Sequence, residues 1–107
     1  FSKKGKADLE LISAQTMQSL QIAVESRETG SVKSANAVRV LEQSVDQLEE
    51  EMREKHIRRL SKGKCEPESG VIFLDIISNL ERISDHAVNI ADYVKAESEA
   101  GIPAIRI

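Results

Sequence analysis

Apolar residues recur at alternating intervals of three and four along most of the chain, the spacing of helices buried on one side. From about residue 7 to 28, Leu9, Ile12, Thr16, Leu20 and Ala23 form one stripe, widened by Met17 and Val24. "ETGS" at 28–31 ends it, with Gly30 as the stop. Ser2 offers a cap for an earlier start, although Gly5 counts against one. A second helix is predicted over about 32–60, capped by Ser31, with Val38, Leu41, Val45, Leu48 and Met52 as a narrow seam. A third is predicted over about 68–98, with Phe73, Ile76, Leu80, Ile83, Ala87, Ile90 and Val94 facing inward. Pro67 suits its first turn, and Gly101 and Pro103 end the pattern. Short loops between three such helices predict an all-α, up-down-up antiparallel three-helix bundle, with Leu80 and Ile83 in its core.

That seam leaves part of the third helix unexplained. At about 100° per residue, Glu81, Asp85 and Asp92 share a strip away from the seam. Leu74, Ile77 and Val88 border it, a second partial apolar surface that one bundle does not need. The second helix repeats the spacing: "EQSVD" at 42–46 and "ERISD" at 81–85 both place Glu and Asp four residues apart. Four carboxylates on two helices suit a hard cation such as magnesium, manganese or iron, if the faces converge. The plainer account of the same residues is a solvated helix face. His86 points about 100° away from Asp85 and is expected at the surface or an interface.

Composition narrows the classes. A chain of 107 residues allows one domain, read here as 1–107, and 3% aromatics with 31% charged residues suit helices rather than a sandwich or barrel. A net charge of −3 gives no reason to expect nucleic acid. Cys65 is the single cysteine, which excludes an internal disulfide and a thiolate zinc site and reads as a plain thiol in a reducing compartment. No apolar run approaches the roughly 20 residues a membrane span needs. The chain starts at Phe1 rather than Met, and the expectation is a piece of a longer protein.

"NLERISDHAVNIADYV" at 79–94 resembles the signature helix of the PhoU family, regulators linked to phosphate transport. Over about residues 36–94, including "EMREKHIRRLSKGKCEPESGVIFLDIISNLERISDHAVNIA", the chain is similar to the PhoU-like cytoplasmic tail of bacterial sodium/phosphate cotransporters. The resemblance implies a three-helix repeat, usually doubled, and a regulatory role at the inner face of the cell membrane beside the transmembrane part of the transporter. It also implies metal ligands at Glu42, Asp46, Glu81 and Asp85, for iron, zinc, manganese or magnesium. Family members commonly carry Gly where this chain has Ser84. With one repeat in hand, the missing half comes from upstream sequence or from a second copy; a homodimer is expected, its contact on Leu74, Ile77 and Val88.

Catalysis is not expected. A bundle di-iron oxidase uses Glu-x-x-His pairs, whereas Arg53 precedes His56 and Ile83 precedes His86 at that spacing. No nucleophile–histidine arrangement and no glycine-rich phosphate loop stands out. His56 is expected at the boundary of the second helix. The basic group Lys55, His56, Arg58, Arg59, Lys62 and Lys64 either complements the negative end of that helix or contacts lipid headgroups or an acidic partner. The alternative to a regulatory metal-binding domain is a helical oligomerisation module that binds no metal.

Overall fold

Ser2 does start the first helix. Its Oγ accepts from the Gly5 N–H at 3.0 Å, and the N-cap satisfies one of the four free amides there. In this computed structural model, which describes residues 2–64 and 66–102, α1 therefore runs Lys3–Thr29 rather than from about residue 7. Gly30 ends it at φ 71°, the left-handed conformation that glycine adopts without steric cost. Ser31 caps α2, Val32–Ser61, by accepting from the Ser34 N–H. Pro67 opens α3, Pro67–Glu99, and Gly101 follows its end at φ 73°. The fold is all-α, with no strand among the described residues. The readings placed on Cys65 and Pro103 lie outside those residues.

Cross-helix ties fix how the elements run. Arg27 donates twice to Glu97, at 2.6 and 2.7 Å, joining the ends of α1 and α3. Arg39 holds Asp92 while Arg53 reaches Ser78, so positions rise along α2 as they fall along α3. Ser44 donates to Gln15 at 2.8 Å, tying α1 to α2. These ties agree with an up-down-up course. The molecule measures 56 × 18 × 17 Å.

Packing corrects the predicted inner face of α3. Gly70, Ile77, Ser84 and Ala91 are buried at seven-residue intervals, next to the row of Phe73, Ala87 and Val94. Ile77 is 0% exposed, and Leu74 and Val88 pack against the core. Of the border assigned to a dimer contact, Ile77 is interior while Leu74 and Val88 are half-buried. Ile76, Leu80, Ile83 and Ile90 are half-buried too, Leu80 and Ile90 against the core clusters. On α2, Leu41 and Leu48 are likewise half-buried, while Ala35, Val38, Val45, Met52 and His56 are buried. Small residues win the inner positions because close helix approach leaves no room for larger ones. A Cβ at position 70 would lie 2.9 Å from His56 Nε2.

The core falls into two clusters. One gathers Ile12, Val45, Met52, Phe73 and Ile77; the other gathers Ala23, Ala35, Val38, Ala87, Ala91 and Val94. Between them along the chain stand Thr16 and Ser19 on α1, Ser84 on α3 and Glu42 on α2. The hydroxyls of Thr16, Ser19 and Ser84 are buried with no hydrogen-bond partner among the described residues. The middle of the bundle is therefore a polar waist.

Candidate metal centre

The carboxylates converge at this waist. Glu42 occupies an inward row of α2, seven residues after Ala35 and seven before Glu49, where an apolar side chain would complete the seam. Asp46 is one helical turn on. Asp85 comes from α3. One oxygen from each of Glu42, Asp46 and Asp85 lies within 4.8 Å of the others. Glu42 and Asp46 are half-buried and Asp85 is exposed, so the group opens to solvent on its α3 side.

Electrostatics show how crowded the group is. Glu42 is pushed up from its ordinary 4.5 to about 7, first by a hydrogen bond with Asp46, then by burial and by the negative charges of Asp46 and Asp85; Arg39 opposes this. Glu81 is also raised, first by burial, then by Asp85, Asp46 and Glu49. With both partners ionised, the buried Oδ1 of Asp46 has no hydrogen-bond donor among the described residues. A buried carboxylate oxygen left so is costly. A proton shared from Glu42 relieves it, and so does a cation.

Two arginines bound the cluster. Arg39 pairs with Asp92 at 3.0 Å, removing that third carboxylate of the predicted strip from the group. At the other side Arg53 pairs with Glu49 and donates to Ser78. Glu49 is the neighbouring charge that motif reading missed: held by Arg53, it lies outside the three-carboxylate group but helps to raise Glu81. Its signal was an acidic residue seven positions after Glu42, on the same inward row.

The four expected residues thus lie in one region: one oxygen from each of Glu42, Asp46 and Asp85 lies within 4.8 Å of the others, and the charges of Asp85 and Asp46 help to raise Glu81. All of these donors are carboxylate oxygens. That set fits magnesium, manganese or iron better than zinc, which favours nitrogen and sulfur ligands. Metal–oxygen distances of about 2.0–2.6 Å allow one ion to reach all three oxygens after small side-chain shifts.

The histidines stand elsewhere. His86 is exposed. His56 is buried rather than at a boundary, stacked on Phe73 with ring centroids 4.5 Å apart, and burial followed by the charge of Arg59 holds it below its ordinary value. The remaining basic residues cluster with Lys4 at one end of the bundle. Among the described residues no helix is long and apolar enough to cross a membrane.

Comparison with known families matches residues 9–94 to the PhoU domain, a span taking in most of α1, all of α2 and most of α3. No curated protein and no solved structure matches the chain.

Proposed function

The chain belongs to the PhoU domain family, associated with the regulation of phosphate transport, and on that premise we propose that it is a non-catalytic regulatory domain of a phosphate transporter. In this reading one up-down-up bundle binds a hard metal ion at its waist, at the inner face of the cell membrane beside the transmembrane part of a sodium/phosphate carrier. Glu42, Asp46 and Asp85 hold the ion and Glu81 supports it. The observation that carries this is a three-carboxylate group whose buried Asp46 oxygen, once Glu42 is ionised, has no donor among the described residues. An ion there neutralises charges that otherwise repel across α2 and α3, so it ties the two helices together.

Magnesium, manganese or ferrous ion added to chelator-treated protein is expected to raise the melting temperature. A ligand at about 100 times its dissociation constant stabilises by about 2.7 kcal/mol. Glu42→Gln with Asp46→Asn, and separately Glu81→Gln with Asp85→Asn, should abolish the rise while leaving the helices intact. An equal rise in parent and variants removes these carboxylates from the site, and no rise in the parent favours the metal-free module.

Self-association belongs to the same proposal, on a different face from the one predicted. The Arg27–Glu97 pair marks the α1–α3 edge. Leu20 stands seven residues before Arg27, and Ile90 and Ile83 stand seven and fourteen before Glu97. Near them Met17 is 49% exposed and Val24 40%. Such a strip marks an interaction surface, and a two-fold dimer lets one patch serve both copies. Ile83→Glu is expected to give a folded monomer from a dimeric parent in sedimentation at several concentrations. Val88 and Ile90 both pack against the core, which leaves Ile83 as the position to test. A parent that is monomeric at about 100 μM overturns the dimer.

A further inference from the structure

We propose that the basic end of the bundle is a binding site for a phosphate-bearing anion. Here α1 and α3 begin and α2 ends, so two of the three helix termini present the positive end of the helix dipole. A cleft of about 580 Å³ opens between them, lined by Lys3, Lys4, Arg59 and Lys64 together with the hydroxyl residues Ser2 and Ser69. Its inner wall includes His56 and Phe73. A second hollow shares Lys4, Arg59 and Lys64 and adds Lys55, Arg58 and Lys62. Glu66 is the carboxylate that lines the cleft.

Local helix stability accounts for only part of this charge. Arg58 and Arg59 do complement the negative end of α2, as cations in a last turn should. Lys3, Lys4 and Lys6 stand in the first turns of α1, where the dipole disfavours cations, and no acidic residue offsets them in the first turn. Seven cations around two joined hollows also repel one another in a chain whose net charge is −3. A feature that works against its own helix is better explained by what it binds.

The chemistry on offer selects phosphate. Helix α3 opens at Pro67, and its N-cap Glu66 makes no side-chain cap hydrogen bond. Helix N-termini, an arginine fork, lysine point charges and hydroxyl donors are the usual holders of phosphate oxygens. Arg59 Nη1 is 3.5 Å from Ser2 Oγ, a long contact that an anion can replace. The cleft is large for a single orthophosphate, and a soluble polyphosphate or a lipid headgroup fills it equally well. Because the charges are solvated, binding weakens as salt rises.

The test uses the whole chain in chelator, so that the metal cluster plays no part. Pyrophosphate is titrated at constant ionic strength in one arm. In the other, the protein is sedimented with phosphatidylglycerol or phosphatidylcholine vesicles. Parent, Lys4→Gln with Arg59→Gln, and Lys33→Gln at the opposite end are compared. A saturable rise in melting temperature of about 5 °C at ten times the dissociation constant supports a soluble ligand. Selective sedimentation with phosphatidylglycerol supports a headgroup. In both arms the response must survive Lys33→Gln and be lost in the double variant. No response in either arm, or one that the double variant retains, overturns the proposal.

Discussion

Ile77→Ala is expected to lower stability by about 2–5 kcal/mol, the range for truncating a fully buried aliphatic side chain. Ile77 is 0% exposed and packs with Ile12, Val45, Met52 and Phe73. Ile83, by contrast, is half-buried, and Ile83→Ala should cost less than about 1 kcal/mol. The pair separates two possible phases of α3 that differ by one residue. Chemical denaturation of both variants at equal slope gives the comparison. A larger loss at Ile83 than at Ile77 would return the inner face to the predicted one.

The second expectation runs against the usual behaviour of carboxylates. Glu42 keeps its proton up to about pH 7 when folded and only to 4.5 in its ordinary state. Folding therefore takes up a proton between those values, so the metal-free protein is most stable below about pH 4.5 with respect to this group. That stability is lost as pH rises through 7. A shift of this size has a ceiling of about 3 kcal/mol, which solvent at a half-buried residue screens to about 1–2 kcal/mol. Glu81 is shifted in the same direction and adds to the trend. In chelator, the melting temperature should fall from pH 5 to pH 8, and Glu42→Gln should flatten the fall and melt higher than the parent at pH 8. A parent that instead grows more stable across this interval would show that the carboxylates do not repel as described.

The first expectation depends on α3 positions that pattern reading placed one residue away. Ile76, Ile83 and Ile90 are large, evenly spaced and apolar, and hydropathy alone turns them inward. The true inner row is Gly70, Ile77, Ser84 and Ala91, mostly small or polar. What decides between them is how closely the helices approach, a tertiary quantity that periodicity does not carry. Phe73, Ala87 and Val94 belong to the inner face in either phase, which is why they were placed correctly. The helix ends were legible because Ser31, Gly30 and Pro67 act locally, through caps and backbone conformation. The start of α1 was not, since Gly5 weighs against helix by propensity yet is buried within it.

The paired carboxylates were legible as spacing, and the resemblance to a known family named four of them. Their electrostatic state was not, because it depends on Glu42 filling an inward position across from α3. Nor could sequence separate Asp92 from the group, as that required Arg39 to reach it from another helix. Glu49 and the burial of His56 were missed for a related reason. A charged residue within an apolar seam reads as an interruption until the partner helix is in place.

The polar waist has a mechanical consequence. Each helix backbone runs unbroken through the middle of the rod, but apolar side-chain contact divides there into two blocks. Contact energy within a block is shared among its own members, so the two blocks are expected to open as separate cooperative units, with two distinct opening energies in amide hydrogen exchange. An ion held by the carboxylate group, as proposed, would bridge α2 and α3 at the junction and act as a clutch. Engaged, it would make the two halves open together; released, it would let one end of the rod change without informing the other.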